Sequence, residues 1–251
     1  MEDLSAYNKE GTNLRRAQLT MLSILKNIIV VFENNNIPYW VDYGTALGAA
    51  RHKGFIPWDD DLDITIPEKY YSKAIAVLTE KLPVDLIVQS KENTPNYPNK
   101  HFKVRDIHSI YVEDGYESFE YRGIFVDIFP AKKTNILIQK VINIYNAKIC
   151  NLNLNRNKFV NYRYILFKSI VIFSKNLLRI LIKKHHVIPF FEKNIIPSNL
   201  IYPLSKCMFE DIEVSCPNDM YNYLKLIYGD FQKLPSVENR ITHAKQIIFK
   251  N

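Results

Sequence analysis

The chain reads as an α/β protein of the α+β kind: a mixed sheet with flanking helices and a basic helical insert. Three observations predict this. Apolar helical segments alternate with short runs rich in β-branched and aromatic residues from Leu14 to Phe129. Four aspartates, Asp59, Asp60, Asp61 and Asp63, run into an apolar segment ending at Ile66, which sets a charged cluster at the mouth of a buried strand. From Ala131 to Phe191 there is no acidic residue against twelve Lys and Arg, so the rest of the chain carries 21 basic and 26 acidic residues. The overall charge of +7 therefore hides an acidic core and a strongly basic segment.

Leu14 to Glu33 repeats apolar residues at helical spacing and stops at Asn34-Asn35-Asn36. Tyr39 to Tyr43 has strand composition. Gly44-Thr45 then reads as a turn, and Ala46 to Arg51 as a short helix. Asp61 to Ile66 is the second strand, and Pro67 suits the first turn of a helix running to about Leu82. Val84 to Gln89 is a third strand, and the two prolines within 93–99 mark a loop. His101 to Arg105 and Ser109 to Glu113 read as paired strands, and Gly123 to Phe129 as an apolar strand with Asp127 its single charge. Past Pro130 the pattern is helical and basic. Lys168, Lys175, Arg179, Lys183 and His186 fall on one stripe opposite Ile170, Phe173, Leu177 and Leu181. A last helix follows Pro217-Asn218-Asp219 and closes near Gly229. These elements suggest a core over 1–130, a basic helical insert over 131–205, and a C-terminal helical part over 206–251 that packs back on the core.

An apolar content of 47% supports a substantial core, and 13% aromatics excludes disorder. Cys150, Cys207 and Cys216 have no CxxC spacing, which argues against zinc and for a reduced chain. The first twenty residues lack the apolar run of a signal peptide. Charges interrupt every window long enough to span a bilayer.

The aspartates carry the chemistry. Crowded carboxylates repel, so the cluster calls for a cation. In extended chain, residues two apart share a face, so Asp61 and Asp63 suit one or two divalent ions. Asp127, alone in its apolar strand, is the natural third ligand. Oxygen donors favour Mg²⁺, with Mn²⁺ as the alternative. The plainer reading has Asp59 and Asp60 shaping a turn while Asp61 and Asp63 pair with Lys or Arg. Gly44-Thr45, between a strand and a helix, is either a simple turn or a phosphate-binding one. Within Arg51-His52-Lys53, Arg51 is the candidate for a phosphate contact. Lys103 and Arg105 share a strand face, as a polar surface or as a cationic lining for a pyrophosphate donor. Trp40, Tyr43 and Trp58 read as core residues, or one or two of them as the walls of a cage for a quaternary ammonium group.

The stretch GTALGAARHKGFIPWDDDLDI resembles the signature of the LicD family, and FVDIFP and YLKLIYGDFQKLP extend the likeness toward both later motifs. The segment from about 131 to 205 is the least similar. The resemblance implies a nucleotidyltransferase-like core that transfers phosphocholine from CDP-choline to a surface glycan sugar, or uses a related donor such as CDP-ribitol or CDP-glycerol. It implies Asp61, Asp63 and Asp127 as metal ligands, and Gly44, Thr45 and Arg51 as the turn and basic position. Asp59 and Trp58 join Lys103 and Arg105 as expected substrate contacts. Tyr228, Gly229 and Asp230 match the tail motif. The expected reaction is attack of a sugar hydroxyl on the β-phosphorus, releasing CMP, with Asp127 or Asp59 taking the proton. Attack on the α-phosphorus with release of pyrophosphate is the alternative. The expected location is cytoplasmic, with the basic insert either packed on the core or lying on an anionic leaflet that presents a lipid-linked acceptor. No base-stacking motif accompanies the basic residues, so nucleic acid is not the expected partner.

Overall fold

The computed structural model describes residues 2–134, 186–188 and 196–250. The chain divides into two compact units, one of Met1–Ala131 with Asn199–Asn251 and one of Lys132–Ser198. The strands up to the end of the first segment are β1 (Trp40–Val41), β2 (Asp63–Pro67), β3 (Leu86–Gln89), β4 (Phe102–Asp106), β5 (Ser109–Val112) and β6 (Phe125–Thr134). In the larger unit the sheet order is β1-β2-β6-β4-β3. Only β2 and β6 run parallel; the other neighbours are antiparallel. The architecture is the expected mixed α/β one.

Side-chain alternation divides this sheet into two unlike faces. Ile64, Ile66, Phe102, Val104, Val126 and Ile128 lie on one face, and all are buried. On the other face, register sets Asp63 opposite Asp127, Asp127 opposite Lys103, and Lys103 opposite Gln89. Helices α1 (Asn13–Asn34) and α3 (Tyr71–Lys81) pack on each other and against β4 and β3. The buried stripe of α1, Met21, Leu25, Ile28 and Phe32, has the 3.6-residue period, and the Thr12 hydroxyl caps its start by accepting the Arg15 amide at 3.2 Å.

Three local expectations change. Gly44-Thr45 is not a turn but the first turn of α2 (Tyr43–His52). The Asp42 carboxylate caps that helix by accepting the Tyr43 amide at 2.8 Å, and the reversal occurs at Tyr43, with φ 45°. Second, β4 and β5 do not pair with each other. Both edges of β4 are taken, by β3 and β6, and β5 pairs instead with the C-terminal strand. The Ser109 hydroxyl closes the departure by donating to Asp106 at 2.6 Å while accepting the Ile124 amide at 2.9 Å. Third, Pro67 ends β2 and precedes a 3-10 turn, Glu68–Tyr70, rather than starting the helix.

In the smaller unit, β7 (His186–Ile188) pairs antiparallel with Lys132–Thr134 and with β8 (Ile196–Pro197). His186 is therefore in a strand, not on a helical stripe. The other stripe residues, and Cys150, lie outside the described residues. Among the described residues, no helix is long and apolar enough to cross a membrane.

Where the sequence predicts a helical C-terminal part, the structure opens with a hairpin, β9 (Ser205–Phe209) and β10 (Ile212–Cys216), around a tight turn with Glu210 at φ 54°. The tail helix, Met220–Tyr228, starts at Asp219 and ends at Gly229 as its flanking residues predict. Strand β11 (Gln246–Phe249) closes the chain against β5.

Candidate functional site

Asp63 opens β2, and its ladder partner is Asp127 on the parallel strand β6. Neighbouring strands lie about 4.8 Å apart, so two carboxylates side by side on one face repel strongly unless compensated. Asp127 has compensation. Lys103 Nζ lies 3.1 Å from one of its oxygens and His101 Nε2 3.2 Å from the other. Burial pulls the Asp127 carboxyl upward, but Lys103 and His101 outweigh it and hold the group below the usual carboxylate range. Burial also pushes Lys103 down while Asp127 opposes it, and its ammonium sits 3.3 Å above the Phe125 ring.

Asp63 lacks such help. No donor reaches its carboxylate among the described residues, and burial followed by repulsion from Asp61, Asp127 and Asp59 raises it well above the ordinary range. Asp59 is raised well above that range by burial, then by Asp61 and Asp60. Asp61 is raised by burial, against the pull of His243. The start of α2 lies against this group. A Cβ on Gly44 would stand 2.8 Å from Asp59 Oδ2 and 3.9 Å from Asp61 Oδ1, so only glycine fits without a shift. Thr45 Oγ accepts the Asp63 amide at 2.8 Å, tying β2 to α2. The acids thus gather at the positive end of a helix.

Asp60 is different. It has no exposed surface, and its oxygens accept from the His243 amide at 2.8 and 3.0 Å, the Ala244 amide at 2.7 Å and the Tyr111 hydroxyl at 2.9 Å. Burial raises its carboxyl, but these donors and the His243 ring win and lower it. His243 Nδ1 lies 3.2 Å from Asp60 and 3.6 Å from Asp61. Asp59, Asp60 and His243 each offer an oxygen or nitrogen atom within 4.8 Å of the others, the spacing of a metal site, although the Asp60 oxygens already accept two amides and a hydroxyl.

The remaining expected contacts are spread around this centre. Arg105 has no exposed surface, and its donors go to Gln89 at 2.7 Å, the Gly123 carbonyl at 2.8 Å and Glu113 at 2.9 Å. Arg51, in the last turn of α2, donates to the Phe231 carbonyl at 3.1 Å and to His52 Nε2 at 2.9 Å. Trp58 is buried, with Tyr7 edge-on at 5.4 Å and the Arg240 guanidinium 4.9 Å above its ring. Trp40 is fully buried, and Tyr43 packs edge-on to Phe129 at 5.4 Å.

Asp42, His101, Tyr223 and His243 escaped the sequence reading. Asp42 alone carried a signal, as a single acid directly after an apolar strand. It is fully buried and accepts from Thr65 at 2.5 Å and from the Tyr223 hydroxyl of the tail helix; burial raises its carboxyl despite these donors. Tyr223→Phe should cost about 1–2 kcal/mol in urea unfolding, because a buried acceptor loses a partner.

His52 sets a pH dependence. Burial first, then the Arg51 guanidinium, pushes its imidazole from 6.5 down to about 4. Its Nε2 accepts from Arg51, which requires the neutral ring. Below pH 6.5 the unfolded chain binds a proton that the folded ring refuses, so stability present above 6.5 is lost as pH falls toward 4. The ring is half-buried, so the loss should be about 1–2 kcal/mol after screening. Urea titrations at several pH values should show a shallower acid slope in His52→Gln.

Residues 36–167, more than half of the chain, match the family model described as LicD/FKTN/FKRP, nucleotidyltransferase domain. The chain belongs to this family. The matched span contains β1, α2, all four clustered aspartates and Asp127. The lipopolysaccharide cholinephosphotransferase LicD of Haemophilus influenzae is 24% identical over 93% of this chain and 96% of its own length. The mouse ribitol 5-phosphate transferase FKRP is 46% identical over 65 residues, which are 26% of this chain and 13% of that protein. An uncharacterized protein of Rickettsia prowazekii is 50% identical over 65 residues, 26% of this chain and 23% of its own.

Proposed function

We propose that this LicD-family chain is a divalent-cation-dependent phosphotransferase. It moves phosphocholine, or a related phospho-substituent, from a CDP-linked donor to a sugar hydroxyl of a cell-surface glycan and releases CMP. The observation that carries this is the convergence of Asp59, Asp61, Asp63 and Asp127, with Asp63 lacking any donor among the described residues. The relatives support the substrate class, being a cholinephosphotransferase and a ribitol 5-phosphate transferase.

Hard carboxylate oxygens suit Mg²⁺ or Mn²⁺, and Asp61, Asp63 and Asp127 are the residues that would hold it. Such an ion would neutralise charge on the transferring phosphoryl group and orient it. The first-turn amides of α2, at Gly44 and Thr45, would bind donor phosphate oxygens. The sugar oxygen forms a bond to the β-phosphorus as the bond to CMP breaks, and the hydroxyl proton passes to Asp59 or Asp127. Lys103 keeps Asp127 ionised and aimed. Arg105, whose donors are spent internally, braces β3, β4 and the entry to β6. The acid-free segment from Ala131 to Phe191 supports peripheral contact with an anionic membrane that presents a lipid-linked acceptor.

Incubation with Mg²⁺, CDP-choline and a glycan acceptor tests the reading through CMP release. Turnover of CDP-ribitol or CDP-glycerol instead would keep the reaction and change the transferred group. Pyrophosphate released from a nucleoside triphosphate, without CMP from any CDP-linked donor, would replace phosphotransfer with nucleotidyl transfer.

A further inference from the structure

We infer that the C-terminal strap, residues 231–245, is a working part of the active site, and that Asp60 is the positioning residue through which it sets Asp59 and Asp61. This rests on the phosphotransferase reading above. The strap is held at three points, each by a residue of the stretch RHKGFIPWDDD. Arg51 donates to the Phe231 carbonyl at 3.1 Å. Trp58 and Tyr7 flank the Arg240 guanidinium at 4.9 and 5.5 Å, while Glu2 pairs with it at 2.6 and 2.7 Å, leaving its side chain 3% exposed. Asp60 takes the backbone amides of His243 and Ala244. At the end of the strap, the Lys245 amide donates to the Val112 carbonyl at 2.9 Å and the chain enters β11.

The chemistry of Asp60 separates it from its neighbours. The Asp60 oxygens are already committed to two amides and a tyrosine hydroxyl, the geometry of an internal anchor. Binding a cation there would require giving up those donors. Asp59 and Asp61 adjoin Asp60 in the chain, so pinning its carboxylate fixes the backbone that carries theirs. The strap also brings the His243 ring within 3.6 Å of Asp61. A displacement of about 1 Å at such a site costs on the order of 100-fold in rate.

The test compares Asp60→Asn, Tyr111→Phe and Asp63→Asn in the full chain. It measures amide hydrogen exchange over residues 240–245, Mn²⁺ stoichiometry by titration, and CMP release. Asp60→Asn should speed exchange in the strap at least roughly tenfold and lower kcat on the order of 100-fold, with Mn²⁺ stoichiometry unchanged. Tyr111→Phe, which removes one donor and keeps the amides, should move exchange and kcat the same way but less, and covers the case in which Asp60→Asn does not fold. Asp63→Asn should lose Mn²⁺ with strap exchange unchanged. Loss of Mn²⁺ in Asp60→Asn with a quiet strap would make Asp60 a ligand and overturn the inference. A loosened strap with unchanged kcat would reduce it to a structural tie and overturn it equally. Absence of both Mn²⁺ binding and CMP release in the unmutated chain would instead sink the phosphotransferase reading, and the strap's active-site role with it.

Discussion

Asp63→Asn is expected to cut turnover at least roughly 100-fold and, without divalent cation, to make the fold more stable. The substitution is isosteric and leaves the Asp63 amide on Thr45 Oγ, so β2 stays in register. What it removes is a carboxylate that burial and four like charges raise well above its unfolded range. Such a group costs stability once pH exceeds the unfolded value, because the folded chain resists the ionisation that the unfolded chain permits. Removing it should return about 1–2 kcal/mol at neutral pH, or a few degrees in Tm. The rate should fall roughly 10²- to 10³-fold or more, the range for loss of one preorganised electrostatic group. Adding Mg²⁺ should raise the Tm of the unmutated chain and not that of Asp63→Asn. Loss of activity together with loss of stability would mean that Asp63 holds the fold rather than the chemistry.

Gly123→Ala is expected to be the most destabilising single substitution. A Cβ there would stand 1.6 Å from the Asp106 carbonyl oxygen, a collision between backbones that no rotamer relieves. The Asp106 amide donates to the Ile124 carbonyl at 2.8 Å, and the Gly123 carbonyl accepts from Arg105 at 2.8 Å, so the end of β4 and the entry to β6 are locked together. Forcing them apart should cost about 3–5 kcal/mol and roughly 10 °C in Tm. Since β6 carries Asp127 four residues later, surviving activity should fall as well. Gly115→Ala, at a left-handed turn with nothing within 4 Å, should cost only about 1 kcal/mol. Circular dichroism melts of the two variants would separate steric collision from backbone strain.

Much of this protein is written locally. Helix α1, the tail helix with its Asp219 and Gly229 ends, and the apolar strands that carry Asp63 and Asp127 follow from periodicity and end signals acting over a few residues. So does the expectation of a cation, since crowded carboxylates repel wherever they fold. The hairpin at 205–216 has no such local signal, because its turn, Glu210-Asp211, lacks the glycine that usually marks one.

Tertiary structure alone decided which charge meets which. Asp127 beside Asp63 is a matter of parallel register between strands 64 residues apart in sequence. The two look alike in sequence, yet Lys103 and His101 lower one while the other is left raised. Gly44 reads as a turn residue, but its need for a missing Cβ comes from Asp59, a distant neighbour. Asp60 reads as one more acid in a run, and becomes an anchor only when His243 and Ala244 arrive. That acids gather before a buried strand follows from the chain alone, because hydrophobic period and charge are local. Which acid is paired, strained or spent depends on partners brought from elsewhere in the chain, and an electrostatic environment exists only once those partners are in place.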